Sequence, residues 1–255
     1  MERFRKADRR RQILTELKLY PHVRTSELAG RFGVSTETVR RDVEALSREG
    51  LISRAYGGAA AAPMGVQPPF GERDRAHIAE RERIGKRAAE LVEPGEVLMV
   101  DAGSTTTQFA RHLAAVGRDL TVLTNSLPVA SALGQNDSIQ VVMCPGDFLA
   151  REAAVYGTET IDFLRRHNIN RAFIGAGGLT CDGITDVNRA ASTVKRCMIR
   201  QSQLTYLLLD HSKFNIPLMS VVEPLSSIGV LVTDLAPDGP LKAALAASSV
   251  TVQIS

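Results

Sequence analysis

The chain has 255 residues, of which 44% are hydrophobic and 23% charged. That balance excludes disorder and leaves room for a small domain beside a larger one. No apolar run approaches the roughly 18–20 residues of a transmembrane helix, and the charged opening MERFRKADRR lacks the apolar stretch of a secretory leader. The expected compartment is the cytoplasm, with no membrane partner. Cys144, Cys181 and Cys197 show no CxxC or Cys/His ligand spacing, which excludes a disulfide scaffold and gives no reason to expect a metal or cofactor.

The charge is unevenly spread. Residues 1–58 hold 13 Lys/Arg against 8 Asp/Glu, whereas residues 59–255 hold 18 against 20. A basic end on a slightly acidic body suits an anionic polymer at the N-terminus.

In chain order, Ile13, Leu14 and Leu17 mark a first helix over about 5–19, which Pro21 stops. A short second helix carries Leu28, Ala29 and Phe32, and Gly33-Val34 makes a turn. Ser35 stands at the N-cap of a helix over 36–49 with Val39, Val43 and Leu46 on one face, and Gly50 closes it. Leu51 to Arg54 and Tyr56-Gly57-Gly58 form a hairpin. Residues 59–71, with Pro63, Pro68 and Pro69 and no charge, read as a linker. A charged helix follows over about 72–92. Strand-like runs then start at Val97, Leu120, Ile139, Ala172, Leu204, Ile228 and Val250. Helical stretches alternate with them at 106–115, 127–134, 158–167, 189–201 and 240–247. This is the pattern of an α/β domain with a largely parallel sheet. The expected domains are 1–58, a linker over 59–71, and 72–255.

A short helix, a glycine turn and a capped second helix make a helix-turn-helix, whose second helix enters the major groove of double-stranded DNA. Turning Val39, Val43 and Leu46 inward leaves Thr36, Glu37, Arg40, Arg41 and Glu44 outward. Ser35, Thr36 and Thr38 can donate to phosphates, and Arg40 or Arg41 can fork onto guanine or a phosphate. The hairpin through Arg54 and Gly57-Gly58 would be a wing near the backbone or the minor groove. One such helix reads too few bases for a specific operator, so a homo-oligomer, a dimer or tetramer joined through the larger domain, is expected.

The stretch TSELAGRFGVSTETVRRDVEAL over 25–46, with Gly50-Leu-Ile-Ser-Arg54 and Gly57-Gly58-Ala59, resembles the winged helix of DeoR-type bacterial transcription regulators. The resemblance continues in Asp101-Ala-Gly-Ser-Thr-Thr-Thr107, Thr124-Asn-Ser126, Ala172-Phe-Ile-Gly175, Asp210-His-Ser-Lys-Phe214 and Thr233-Asp234. It implies an effector domain similar in fold to ribose-5-phosphate isomerase and CoA transferases. It also implies a repressor of a carbohydrate or polyol operon, released by a phosphorylated sugar or polyol. Two positions depart from the family pattern. Asn170 stands where an aspartate is common, and Cys144-Pro-Gly-Asp147 where a Gly-Gly pair is common. Both are expected at edges that could touch the pocket.

The residues themselves point to a small-anion site. An apolar strand runs through Asp101 into Gly103-Ser104-Thr105-Thr106-Thr107 and then a helix. Gly103 allows close backbone approach, and hydroxyls join the open N–H groups of the helix start. Ser104, Thr105 and Thr106 would hold phosphate oxygens and Lys213 would supply the cation. Asp101 and Asn125 would read hydroxyls, with capping as the alternative role for Asp101. Lys195 reads as a solvated lysine, with a further phosphate contact as the alternative, and His211 alone of the histidines sits beside the pocket. The rival reading is an enzyme on the same fold, a sugar-phosphate isomerase or a CoA transferase. The loop over 175–182 carries no paired acids for an isomerase, and no glutamate nucleophile follows a strand.

Overall fold

The structure is a computed structural model that describes residues 5–20, 22–48, 52–55, 57–61 and 67–255. Pro21, Gly50, Leu51, Tyr56 and residues 62–66 of the expected linker lie outside the described residues. The chain divides into two units, Met1–Pro68 and Pro69–Ser255. Among the described residues, no helix is long and apolar enough to cross a membrane.

The first unit holds α1 (Lys6–Leu19), β1 (His22–Arg24), α2 (Thr25–Phe32), α3 (Thr36–Arg48), β2 (Ile52–Ala55) and β3 (Gly58–Ala61). Ile13 and Leu17 of α1, Leu28 and Phe32 of α2, and Val39, Val43 and Leu46 of α3 share one core with Ile52 and Ala59. Each large side chain buried there contributes about 1.5–3 kcal/mol. Gly33 ends α2 in the left-handed region at φ 62°, where a Cβ would be strained. Ser35 then caps α3 by accepting the Thr38 N–H at 3.2 Å. β3 lies between β1 and β2 and is antiparallel to both. Residues 59–61 are therefore sheet, which corrects the linker expected to start at 59. An alanine run carries no strand signal, and backbone pairing on both sides decides its structure.

Asp42, on α3, is 2% exposed and pairs with the Nε atoms of Arg9 (2.5 Å) and Arg10 (3.2 Å) on α1. This fixes α3 against α1 where hydrophobic packing alone would tolerate rotation. Asp42→Ala leaves the buried Arg9 guanidinium without this partner and should cost about 3 kcal/mol. Urea unfolding of the full chain would show it as an earlier first transition, and an unshifted midpoint would refute the role.

The second unit opens with α4 (Phe70–Arg73) and α5 (Ile78–Glu90), so the single helix expected over 72–92 is split and the end of the expected linker is helical. His77, at φ 52°, makes the break. There follow β4 (Val97–Val100), α6 (Ser104–Val116), β5 (Leu120–Thr124), α7 (Leu127–Leu133), β6 (Ile139–Met143), β7 (Asp147–Leu149), β8 (Ala154–Tyr156), α8 (Thr158–Arg165) and β9 (Ile169–Ile174). The chain ends with β10 (Gly178–Thr180), β11 (Gly183–Asp186), α9 (Arg189–Gln201), β12 (Ser202–Leu208), β13 (Ser220–Val221), β14 (Val230–Thr233), α10 (Gly239–Ala247) and β15 (Thr251–Ile254).

Seven of these strands form one sheet in the order β15-β14-β12-β9-β4-β5-β6, and every neighbouring pair is parallel. The chain starts in the middle at β4, winds outward to β6, returns to β9 on the other side of β4, and winds outward again. Right-handed crossovers then put helices on opposite faces. One face packs Ile84 and Ala88 of α5, Phe109 and Leu113 of α6, and Val129 of α7. The other packs Leu164 of α8, Val194 and Met198 of α9, and Leu241 of α10. α5 and α6 meet closely at Gly85, where a Cβ would stand 2.7 Å from the Gln108 backbone. The loops leaving β4 and β9 diverge from adjacent strands, and this switch point is the place where open α/β sheets hold ligands.

Candidate DNA-binding helix and effector pocket

α3 presents Ser35, Thr36, Arg40 and Arg41 to solvent, with Thr38 half-buried. The Arg40 and Arg41 side chains are 67% and 77% exposed. Glu37 gathers both, at 3.5 Å and 3.3 Å. Ser35, Thr36 and Thr38 line an open cleft of about 740 Å³ with Arg5, at the N-cap of α1, and Arg9 of α1. Arg5 is exposed and adds positive charge beside the start of α3, whereas Arg9 is buried against Asp42; sequence reasoning singles out neither. Their signal was the basic opening of the chain. Arg54 lies on β2, and its side chain is outside the described residues.

In the second unit, Asp101 follows β4 and is fully buried. Its Oδ2 lies 2.8 Å from the Lys195 Nζ on α9, and the same ammonium is 3.4 Å from Asp186 Oδ2 at the end of β11. Lys195 is itself 3% exposed, which corrects the expectation of a solvated lysine. Burial disfavours its charge, but Asp101 and Asp186 outweigh that and raise its pKa, so it is held protonated. The second oxygen of Asp101, Oδ1, is buried with no hydrogen-bond partner. Such orphaned acceptors are costly unless something donates to them.

The first turn of α6 adds donors. Ser104, Thr105 and Thr106 are all buried, and no side chain caps the helix start at Gly103. The hydroxyls of Thr106 and Thr107 donate to the Gly103 carbonyl at 3.0 Å and 2.7 Å. Thr106 thus spends its proton on the Gly103 carbonyl, whereas no such bond holds the hydroxyls of Ser104 and Thr105. After β5, Asn125 donates through Nδ2 to the Val155 carbonyl at 3.1 Å, which leaves its buried Oδ1 without a partner.

After β12, Asp210 caps a short turn over His211–Lys213 through the Ser212 N–H. Lys213 is half-buried. Burial, joined by the guanidiniums of Arg81 and Arg73, pulls its pKa down, and Asp210 opposes them. Arg81 of α5, 4% exposed, sets its Nε 3.2 Å from Asp210 Oδ2. Burial alone would raise the Asp210 pKa, but Arg81 and Lys213 overcome it and hold the carboxyl below the usual range. His211 is oriented by Asp234, with Nδ1 2.6 Å from Oδ2 and its backbone N–H 2.8 Å from Oδ1.

Asn170 is elsewhere. Its Oδ1 accepts the Val97 N–H at 2.9 Å, at the amino ends of β9 and β4, whereas the other candidates follow carboxyl ends. The expectation that it could touch the pocket is overturned, since strand direction puts it across the sheet. Among the described residues, no group of His, Cys, Asp and Glu is placed to hold a metal ion.

Residues 9–63 match the DeoR-like helix-turn-helix domain, and residues 76–235 match the DeoR C terminal sensor domain. The chain belongs to the DeoR family. It is a DNA-binding transcriptional repressor, built as a winged helix followed by a sensor. The glycerol-3-phosphate regulon repressor of Escherichia coli (strain K12) is 30% identical over 91% of this chain and 92% of its own length. The transcriptional repressor GlcR of Bacillus subtilis (strain 168) is 31% identical over 89% and 87%. The regulator IolR of Bacillus subtilis (strain 168) is 29% identical over 83% and 84%. A ribose-5-phosphate isomerase from Methanocaldococcus jannaschii covers 52% of the chain at TM-score 0.40 and 18% identity, too distant to bear on function.

Within the DeoR sensor, Asp101, Gly103, Ser104, Thr105, Asn125 and Lys213 all occupy loops or helix starts directly after sheet strands. Lys195, Asp186 and Arg81 were missed as partners of that site. No local spacing links any of them to Asp101 or Asp210.

Proposed function

We propose that this repressor holds a carbohydrate or polyol operator through α3 and is released when a phosphorylated sugar or polyol enters the switch-point pocket. The observation that carries the reading is the pairing of opposite chemistries at neighbouring strand ends. Ser104, Thr105 and the open N–H groups of α6 offer donors, and Lys213 offers a cation. Asp101 Oδ1 and Asn125 Oδ1 offer buried acceptors that only a ligand's hydroxyls or water would satisfy. A ligand with a phosphate at one end and hydroxyls at the other uses both halves. Asp101 and Asp186 are both drawn to Lys195, which suits a receptor better than an isomerase needing a free base.

The test is a titration of the full chain with a panel of sugar and polyol phosphates, by calorimetry and on a DNA fragment that the protein itself selects. A member of the panel should bind and weaken the DNA complex, and its dephosphorylated form should do neither. Ser104→Ala/Thr105→Ala and Lys213→Met should each weaken that ligand by about tenfold or more, the value of one or two charge-assisted hydrogen bonds. Unchanged ligand affinity in both variants would put the effector elsewhere. The operator-bound form is a homo-oligomer, because paired recognition helices match inverted half-sites. A mass measurement giving only the 27.6 kDa monomer, free and on DNA, would rule that out.

A further inference from the structure

The segment Pro69–Arg81 begins the sensor unit where the chain arrives from the DNA-binding unit, and several contacts fasten it, among them an ion pair of Asp74 with Arg111 of α6 at 3.5 Å. Arg81 sets its Nε against Asp210 Oδ2 at 3.2 Å and also donates to the carbonyl of Arg73. Arg73 in turn pairs with Glu152, and the Phe70 N–H donates to the Arg151 carbonyl at 2.8 Å. Of the anchors at Asp210 and at residues 151–152, the first belongs to a pocket loop and the second reaches Asn125 through β8. Asp210 caps the turn that carries Lys213. Residues 151–152 sit in the turn between β7 and β8, whose far strand is bound to Asn125 by two bonds. The Val155 N–H donates to the Asn125 carbonyl at 2.8 Å, and Asn125 Nδ2 donates to the Val155 carbonyl at 3.1 Å.

We propose that Pro69–Arg81 is the element through which the pocket controls the repressor, and that a bound phosphate loosens it by competing with Asp210 for Arg81. This rests on the reading of the pocket as a phosphate-ester site. The competition follows from charge. Asp210 serves two cations, Arg81 at 3.2 Å and Lys213 on the turn that it caps, and Lys213 is the cation assigned to the phosphate. A dianion drawn to Lys213 repels Asp210 and attracts the guanidinium, so the contact that ties the segment to the 210–213 turn weakens. A ligand can shift the equilibrium only through such a difference between two states. Arg81 is a positioning residue here, since its fixed contacts are Asp210 and the segment backbone.

Hydrogen exchange on the full chain, with sn-glycerol 3-phosphate, fructose 6-phosphate and inorganic phosphate as probes, tests this directly. Ligand should slow exchange at 101–107 and 210–214 and speed it at 67–77 by threefold or more. Two variants test the coupling separately. In wild type, a saturating probe should weaken the selected DNA fragment by tenfold or more. In Arg81→Gln and in Glu152→Gln, which remove one charged contact of each anchor, that factor should fall below about threefold, although the ion pair of Glu152 is with Arg73 and not with a candidate pocket residue. Slowed exchange at the pocket loops with unchanged exchange at 67–77 would overturn the inference and leave the pocket standing. A full tenfold response in both variants would overturn it equally. No slowing at 101–107 and 210–214 with any probe would remove the pocket reading and this inference together. The exchange arm needs only wild-type protein, so a variant that fails to fold does not shield the proposal.

Discussion

Lys195→Met is expected to destabilise the sensor unit by about 3–5 kcal/mol and to abolish the effector response. Methionine keeps most of the apolar stem but removes the ammonium that neutralises Asp101 and Asp186. Both carboxylates are 5% exposed or less, so they would be left as uncompensated buried charges. The loss should depend on pH in a defined direction. Burial already raises the Asp101 pKa against the pull of Lys195, and without the lysine it must rise further. A carboxyl whose folded pKa lies above its unfolded value favours the folded state at low pH and stops doing so as pH climbs through the folded value. The deficit should therefore shrink as the variant is acidified toward the carboxylate range and reach its full size near neutrality. In wild type, Lys195 has a raised folded pKa. Its contribution is complete below the ordinary lysine range and fades only as pH rises through and beyond it. Denaturant unfolding of both proteins across pH 4–9 checks the sign. A variant as stable as wild type at neutral pH would show that the triad carries no stability.

Arg40→Ala and Arg41→Ala are expected to cost operator affinity by about 1–3 kcal/mol each where the lost contact is a bidentate pair with a guanine, roughly 5- to 150-fold. The structure adds a detail to this expectation. Both guanidiniums lean on Glu37, at 3.5 Å and 3.3 Å, and are largely exposed. An exposed pair of that kind is worth at most about 1 kcal/mol, so releasing either arginine to DNA costs little. Glu37→Gln should accordingly tighten binding to every DNA sequence by a few-fold at low salt, because it removes the competitor and one like charge facing the phosphates. A base-reading arginine relaxes specificity at one position when lost. A phosphate-binding one weakens all sequences alike and flattens the salt slope by about one. Gel shifts that match wild type on all DNA for both alanine variants would defeat the assignment.

Much of the architecture was legible because its signals are local. Gly33, Ser35 and the spacing of Val39, Val43 and Leu46 specify a turn, a cap and a buried stripe within a few residues of each other. The seven strands of the large sheet were likewise visible as apolar runs alternating with helical stretches, and a strand followed by Gly, Ser or Thr marks a strand-end loop wherever that strand lies in the sheet. The small hairpin β7–β8 and the strands β10, β11 and β13 were missed. They are two to four residues long, too short to show an alternating pattern, so long-range pairing decides them.

By itself, then, the sequence determined the winged helix, the α/β alternation, and which side chains stand at strand ends. Tertiary structure decided the order of the strands, and with it the switch point between β4 and β9 that gathers those ends. It decided that Asn170 belongs to the opposite edge, because that depends on strand direction. It also decided the fate of every buried charge. A lysine on an amphipathic helix reads as solvated until the fold brings Asp101 and Asp186 to it, and an arginine on α5 reads the same way until Asp210 arrives. The physical reason is common to all of these. Helix periods, caps and turns are set by neighbours in the chain, whereas the cost of burying a charge is met or left unmet by groups hundreds of atoms away along it.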